Sequence, residues 1–425
     1  MHETKSTMWK KSYALLIGLF YFGQGYGFGI FSSYMSMYLN ESFGLSVPET
    51  SGIIALIMIP WYLKPVWGII SDRFGSQRFG RRRPYLLIAS LASLAGYLLI
   101  ASITSYGVPF LLAATFTVMA VSMSDVILDA LAVDVTPEGK MGLVQGVAWG
   151  FYSLGSVLMG LFTATMASKV GWSQAFTIGG VLLSFNCLLT LFIKEPPLTS
   201  QSVSSLEAYK EAFIGRNARP TWLCVLFSFL AHVPLATSYI GTIYLRQAFG
   251  LSVDEVGICL LVAALAGALG AFVWGPVMDR IGSKKAITIV LVTQVIIFMC
   301  AGLIPVGFGP LVIAGIAAIG FVGLAMTVAA MRVSMEFSPP RIAGSMFAIY
   351  VSIATLAQTL GATLIGYTSL YIGLRRALLV LAPFCGLTLI PLHYMTLYEP
   401  EPGSRNVEVR SDQPVEPEHD LSYVT

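Results

Sequence analysis

Three ionisable side chains lie where the chain is otherwise apolar: Lys64, Asp125 and Asp129. Lys64 stands seven residues before Ser71, where its apolar run ends. At the rise of an α-helix that is about 10 Å into the run. Asp125 and Asp129 precede Asp134, near the end of a run of the same direction, by nine and five residues, about 13 and 8 Å. The lysine therefore sits at a depth between the two aspartates, which share one helix face as i, i+4 neighbours. An unpaired charge in hydrocarbon costs at least about 2.5–3.5 kcal/mol. The three are expected to gather in one cluster facing a central, water-accessible cavity. Two acids and one base leave one formal negative charge, so the cluster can hold and release a proton. The competing reading is a structural salt bridge joining the two helices.

The first apolar run contains Tyr21-Phe22-Gly23-Gln24-Gly25-Tyr26-Gly27-Phe28-Gly29. Glycine thins a helix and permits close approach. Gln24 supplies a donor and an acceptor, and Tyr21 and Tyr26 supply flat faces. The run suits either a planar polar ligand or plain helix packing. Weaker candidates are Gln145, His232 and Arg332. His232 is able to titrate near neutrality or to serve packing alone. Arg332 fits an anionic substrate or a side chain snorkelling to the interface. The expected cavity set is Gln24, Tyr21, Tyr26, His232 and Arg332.

A loop motif follows Lys64. Gly68-Ile-Ile-Ser-Asp72-Arg73-Phe-Gly75 leads into Gly80-Arg81-Arg82-Arg83, and Gly275-Pro-Val-Met-Asp279-Arg280 repeats its core. The glycine lets two helices approach closely, and the carboxylate and guanidiniums can clamp helix ends in one conformation. Asp134 and Glu336, at the ends of the fourth and tenth runs, are the expected partners. The gating set is therefore Gly68, Asp72, Arg73, Arg82, Asp134, Gly275, Asp279, Arg280 and Glu336. An ordinary basic loop would explain the arginines but not the recurring Gly-x-x-x-Asp-Arg.

What must position these residues is a membrane bundle. Hydrophobic residues make up 56% of the 425 and charged residues 11%, against about 25% charged in soluble domains. There is too little polar material to cover a soluble core, so the apolar excess faces lipid. Runs long enough to span lie near 13–38, 50–71, 85–104, 108–132, 142–168, 174–193, 219–247, 255–279, 286–304, 309–335, 342–368 and 374–396. Of the 25 Lys and Arg residues, 20 fall on one side of this twelve-helix arrangement and four on the other, with Lys64 between. The basic side is expected to be cytoplasmic and to carry both termini. The expected division is a six-helix bundle over 1–193, a cytoplasmic linker over 194–218, a second bundle over 219–396 and a disordered tail over 397–425. The first run reads as a retained span rather than a cleaved signal.

The halves are related. MYLNESFGLSV at 37–47 matches IYLRQAFGLSV at 243–253, Gly68 matches Gly275, and Glu195-Pro196 matches Glu399-Pro400, at offsets of 206, 207 and 204 residues. Five scattered cysteines imply neither disulfides nor zinc. No phosphate-binding Gly-x-x-x-x-Gly-Lys-Ser/Thr occurs, and no nucleophile or metal arrangement suggests an enzyme. No cofactor, metal or nucleic-acid partner is expected; the expected partners are a small-molecule substrate, protons and the lipid bilayer around a monomer.

Tyr21-Phe22-x-Gln24-Gly25, Pro60-Trp61-x-x-Lys64-Pro65-x-x-Gly68-x-x-Ser71-Asp72, Phe79-Gly80-Arg81-Arg82-Arg83-x-Tyr85 and Ser124-Asp125-x-x-x-Asp129 resemble the folate–biopterin transporter family of the major facilitator superfamily. The resemblance covers the chain through about residue 135 and becomes generic in the second half, around Pro340-Arg341 and Gly361. The family's usual Glu-Arg after the second aspartate is here Asp134-Val135. Membership implies an all-α fold of twelve transmembrane helices in two six-helix halves. It also implies proton symport of a folate or pterin by alternating access in a cell (inner or plasma) membrane, with Lys64, Asp125 and Asp129 at the site. Muropeptide permeases and acetyl-coenzyme A transporters carry a related Asp-x-x-x-Asp and stay open as alternatives. So does a non-transporting membrane receptor on the same fold.

Overall fold

The computed structural model describes residues 9–45, 47–75, 79–192, 195, 205–215, 218–301 and 307–397. They form twelve helical crossings. α1 is Lys11–Gly29, continued by a π-helical turn Ile30–Tyr34 and Met35–Phe43. α2 is Val47–Ile57, Ile59–Tyr62 and Lys64–Arg73. α3 to α6 are Arg83–Ser102, Val108–Val135, Met141–Val170 and Trp172–Leu189. α7 joins Ala218–His232, a 3-10 turn Val233–Ala236 and Thr237–Phe249. α8 to α11 are Val253–Ile281, Ser283–Ala301, Pro310–Glu336 and Ala343–Ile372. α12 joins Leu374–Ala377, Leu378–Leu381 and Ala382–Tyr394. Among the described residues nine helices are long and apolar enough to cross a membrane; α1, α2 and α6 complete the twelve.

The sequence pattern treats residues 50–71 as one run, whereas α2 breaks at Met58 and Leu63. Pro60 and Pro65 cause this. Proline has no N–H for the helical ladder, and the chain instead makes the tighter bonds Trp61 N–H to Met58 O and Leu63 N–H to Pro60 O. Within the expected linker 194–218, Ser205–Phe213 is helical, and its Tyr209, Ala212 and Phe213 pack on the core of the second half. The rest of that linker, apart from Glu195, Ile214, Gly215 and Ala218, lies outside the described residues. So do residues 1–8 and the expected tail from 398 onward.

The internal repeat is a repeat of geometry. Gly44 and Gly250 adopt φ of 67° and 72°, the left-handed conformation that glycine takes without a Cβ clash. Each returns its N–H to the preceding turn, and Leu45 and Leu251 bond back to Leu39 O and Leu245 O. That is the same two-bond helix stop, closed by a left-handed glycine, used twice. Tyr38 packs edge-on against Phe43 at 5.2 Å, and Tyr244 against Phe249 at 5.6 Å.

α1 packs along α5 and α8 along α10, while α3 packs between α4 and α6. The halves meet along two seams, α5 on α8 and α2 on α11. The second seam closes tightly because residue 68 is glycine: a Cβ there would stand 2.6 Å from Ser345 Cα and 2.8 Å from the Gly344 carbonyl carbon. One buried cluster bridges the halves, joining Ile127 and Leu131 of α4 to Met335 of α10 and Phe347 of α11. Outward faces carry exposed Leu91, Leu112 and Ile296, as lipid contact requires.

Candidate functional site

The break at Leu63 sets Lys64 at the start of the last segment of α2. Its ammonium is 2.7 Å from Asp125 Oδ2, with side chains 6% and 15% exposed. The same nitrogen stands 3.5 Å from the centroid of the Trp61 ring. One turn along α4, Asp129 takes a different partner: the Tyr21 hydroxyl of α1 donates to its Oδ1. Gln24, a turn beyond Tyr21, donates from Nε2 to Ser124 Oγ at 2.8 Å. The expected Lys–Asp–Asp cluster is thus two adjoining pairs, a charged one and a hydrogen-bonded one. Two helix axes fix depth but not rotation, and the proline breaks in α2 turn Lys64 toward Asp125. Tyr21 and Gln24 lie beside Asp129 and Ser124 as buried hydrogen-bond donors rather than as open flat faces.

Other expected cavity residues lie elsewhere. Tyr26 is 3% exposed and sits with Ile30, Phe31 and Tyr97 in an apolar cluster. His232 is buried in α7 with Nδ1 2.8 Å from Ser228 O. Arg332, placed by sequence in the cavity, is instead fully buried in an ion network, 2.7 Å from Glu336 and 3.5 Å from Asp279.

At the end of the bundle that carries the α2–α3 and α8–α9 loops, called the basic end, each half grips the other by one device. Asp72 ends α2 and accepts from Gly344 N, Ser345 N and Ser345 Oγ at 3.2, 2.8 and 2.6 Å. Those amides open α11, where the helix leaves donors unpaired and favours a negative charge. Asp279 ends α8 and accepts from Gly142 N and Leu143 N, at the start of α5, at 3.0 and 2.7 Å. The counter-charges differ. In the first half Arg82 joins Asp72 at 2.6 Å to Asp134 at 2.9 Å, and Arg81 adds a second contact to Asp72. In the second half Arg332 of α10 takes that place. Glu336 therefore pairs with Arg332. Arg73 and Arg280, both expected in the gate, are exposed.

Residues that sequence reasoning missed complete the lock. The Glu195 carboxylate accepts from the backbone N–H of Arg81, Arg82 and Arg83 at 2.6, 2.8 and 2.7 Å, capping α3. Tyr209 of the linker helix donates to Ser345 Oγ. Glu195 carried a signal as part of the repeated acidic-proline exit; Ser345, whose backbone matters most, carried none.

Arg82→Ala leaves two carboxylates without their shared guanidinium in a site where Arg82 is fully buried. Breaking one side of such a pair costs about 3–5 kcal/mol. The thermal unfolding midpoint of the detergent-solubilised protein should fall sharply, whereas exposed Arg73→Ala should change stability by no more than about 0.5 kcal/mol. Equal midpoints for the two variants would contradict the assignment.

Comparison with known proteins bears on the same features. The chain is 32% identical over 165 residues to a folate-biopterin transporter of Synechocystis sp., covering 38% of this chain and 33% of that one. It is 28% identical over 263 residues to the anhydromuropeptide permease of Escherichia coli, covering 58% and 52%. These alignments span about half or less of the curated relatives' length. Among solved structures, the transporter FucP in the outward conformation matches with TM-score 0.71 at 13% identity, over 91% of this chain and 99% of that one. The human organic anion transporter MFSD10 matches with TM-score 0.69 at 15% identity, over 89% and 98%. The family model described as Major Facilitator Superfamily matches residues 17–243 and 221–421. With both halves matched and the fold shared, the chain belongs to the major facilitator superfamily.

Proposed function

We propose that this multi-pass membrane transporter is a proton symporter for a small anionic solute, with a folate or pterin favoured, working by alternating access. The observation that carries the reading is the Lys64–Asp125 ion pair beside the Tyr21–Asp129 hydrogen bond. A charge pair inside the bundle is costly to maintain, and in this one the lysine is buried while the Asp125 side chain keeps 15% exposure. Protonation of Asp125 or Asp129 weakens the hold on Lys64, and the freed ammonium engages a carboxylate of the solute. When the solute leaves, the lysine reclaims its aspartate and the proton departs. Both termini are assigned to the cytoplasm, which makes the interlocked basic end the inner gate, and the halves to 1–193 and 219–396.

A second reading, a muropeptide-type permease, is favoured by the longer alignment to the anhydromuropeptide permease. Proteoliposomes holding a pH-sensitive dye separate the two. Folate or pterin should acidify the lumen as it enters under an inward proton gradient. Acidification by an anhydromuropeptide alone would favour the second reading, and none with either compound would remove proton symport.

A further inference from the structure

The break in α2 sets one aromatic ring beside the charge pair. Between Met58 and Leu63 the chain makes the short turn Ile59–Tyr62, which presents Trp61. The indole stacks on Phe28 of α1 with ring centroids 3.9 Å apart and planes at 16°. The Lys64 ammonium lies 3.5 Å from the same centroid. Two groups that close cannot share one face, so Phe28 covers one side of the indole and Lys64 the other. Phe28 is held by packing. Lys64 is held by its bond to Asp125 and is a flexible side chain on a helix start. Trp61 and Phe28 are half-buried, unlike Tyr21, Gln24 and Tyr26, which are at most 3% exposed.

We infer that Trp61 is the stacking platform for a flat ring of the transported solute and that Lys64 is the lid on that platform. This rests on the reading in which a solute anion draws Lys64 from Asp125. When the lysine swings to the anion, the indole loses its cation–π contact and its face is bared. A solute with a planar heteroaromatic ring next to its anionic group restores that contact by stacking, an attraction open to any flat π-system. An anion without a ring leaves the face to water. The site therefore favours planar heteroaromatic anions over aliphatic ones of equal charge.

The test uses the full chain in lipid nanodiscs and measures equilibrium binding of pterin-6-carboxylate and glutarate. Wild-type protein is expected to prefer the pterin at least tenfold. Trp61→Leu should abolish that preference by weakening the pterin alone, and Trp61→Phe should restore most of it. In wild-type protein bound pterin should quench tryptophan emission, glutarate should not, and Trp61→Phe should lose a large part of the quenching even if Trp61→Leu does not fold. A preference unchanged in Trp61→Leu, or quenching unchanged in Trp61→Phe, would overturn the platform while leaving the transport reading intact. Failure of wild-type protein to bind either compound would overturn both.

Discussion

Lys64→Ala and Asp129→Asn each abolish proton-driven uptake while the protein still inserts and folds. The two variants fail for different reasons. Lys64→Ala strands Asp125 without a cation inside the bundle, and loss of one partner of a buried pair costs about 3–5 kcal/mol. On an occupancy scale that is roughly two to four orders of magnitude. The aspartate escapes the cost by holding its proton permanently, so the cycle stalls with the site neutral. Asp129→Asn is gentler on structure. The asparagine carbonyl still accepts from the Tyr21 hydroxyl, as an amide oxygen can, so the bond between α1 and α4 survives and only the capacity to take up a proton is lost. Uptake of labelled folate into proteoliposomes under an imposed pH gradient measures both, with size-exclusion profiles reporting the fold. Wild-type accumulation in either variant would sink the mechanism.

The contrast between those pairs marks how far the sequence is legible. Counting residues from the ends of apolar runs places Lys64, Asp125 and Asp129 at similar depth, because the rise per residue is nearly constant. Which aspartate meets the lysine depends on helix rotation, and rotation depends on the breaks at Met58 and Leu63. The prolines that cause them are plain in the sequence, but the angle each imposes is not. The gate shows the same division. Its carboxylates, Asp72 and Asp279, are readable from the repeat. Their partners are main-chain amides of Gly344, Ser345, Gly142 and Leu143, and an amide has no signature in residue type. Among five neighbouring arginines the choice of Arg73 over Arg81 fails because Gly80, at φ 91°, turns the chain so that residues 81 and 82 meet Asp72. Arg332 was misplaced for a related reason. Near a helix end, snorkelling, ligand binding and pairing all fit, and only the approach of α8 to α10 brings Asp279 to Arg332.

Gly68→Val is the substitution expected to separate the gate from the site. A Cβ at 68 meets the Ser345 Cα at 2.6 Å, its nitrogen at 2.7 Å and the Gly344 carbonyl carbon at 2.8 Å. All three are backbone atoms of the first turn of α11, so no rotamer change relieves the clash, and the helix itself must retreat. Retreat withdraws the amides of residues 344 and 345 from Asp72. Overpacking of this kind costs about 1–3 kcal/mol, and with backbone on the far side the upper end applies. That is enough to shift a two-state equilibrium by roughly a hundredfold. The interlocked state of the basic end then becomes a minor one. Steady-state uptake should fall to background, while Lys64, whose partner Asp125 is on α4 and not on α11, keeps its bond. Hydrogen exchange reads the event directly. Amides 344 and 345 should lose protection, and amides 142 and 143, held by Asp279 at the other seam, should lose less. Gly275→Val, whose Cβ would meet the Gly142 carbonyl and the Gly146 Cα, should reverse the order. If residues 344 and 345 stay protected in Gly68→Val, the close approach of α2 and α11 is not what holds the basic end shut, and the Asp72 contacts would have to do so unaided.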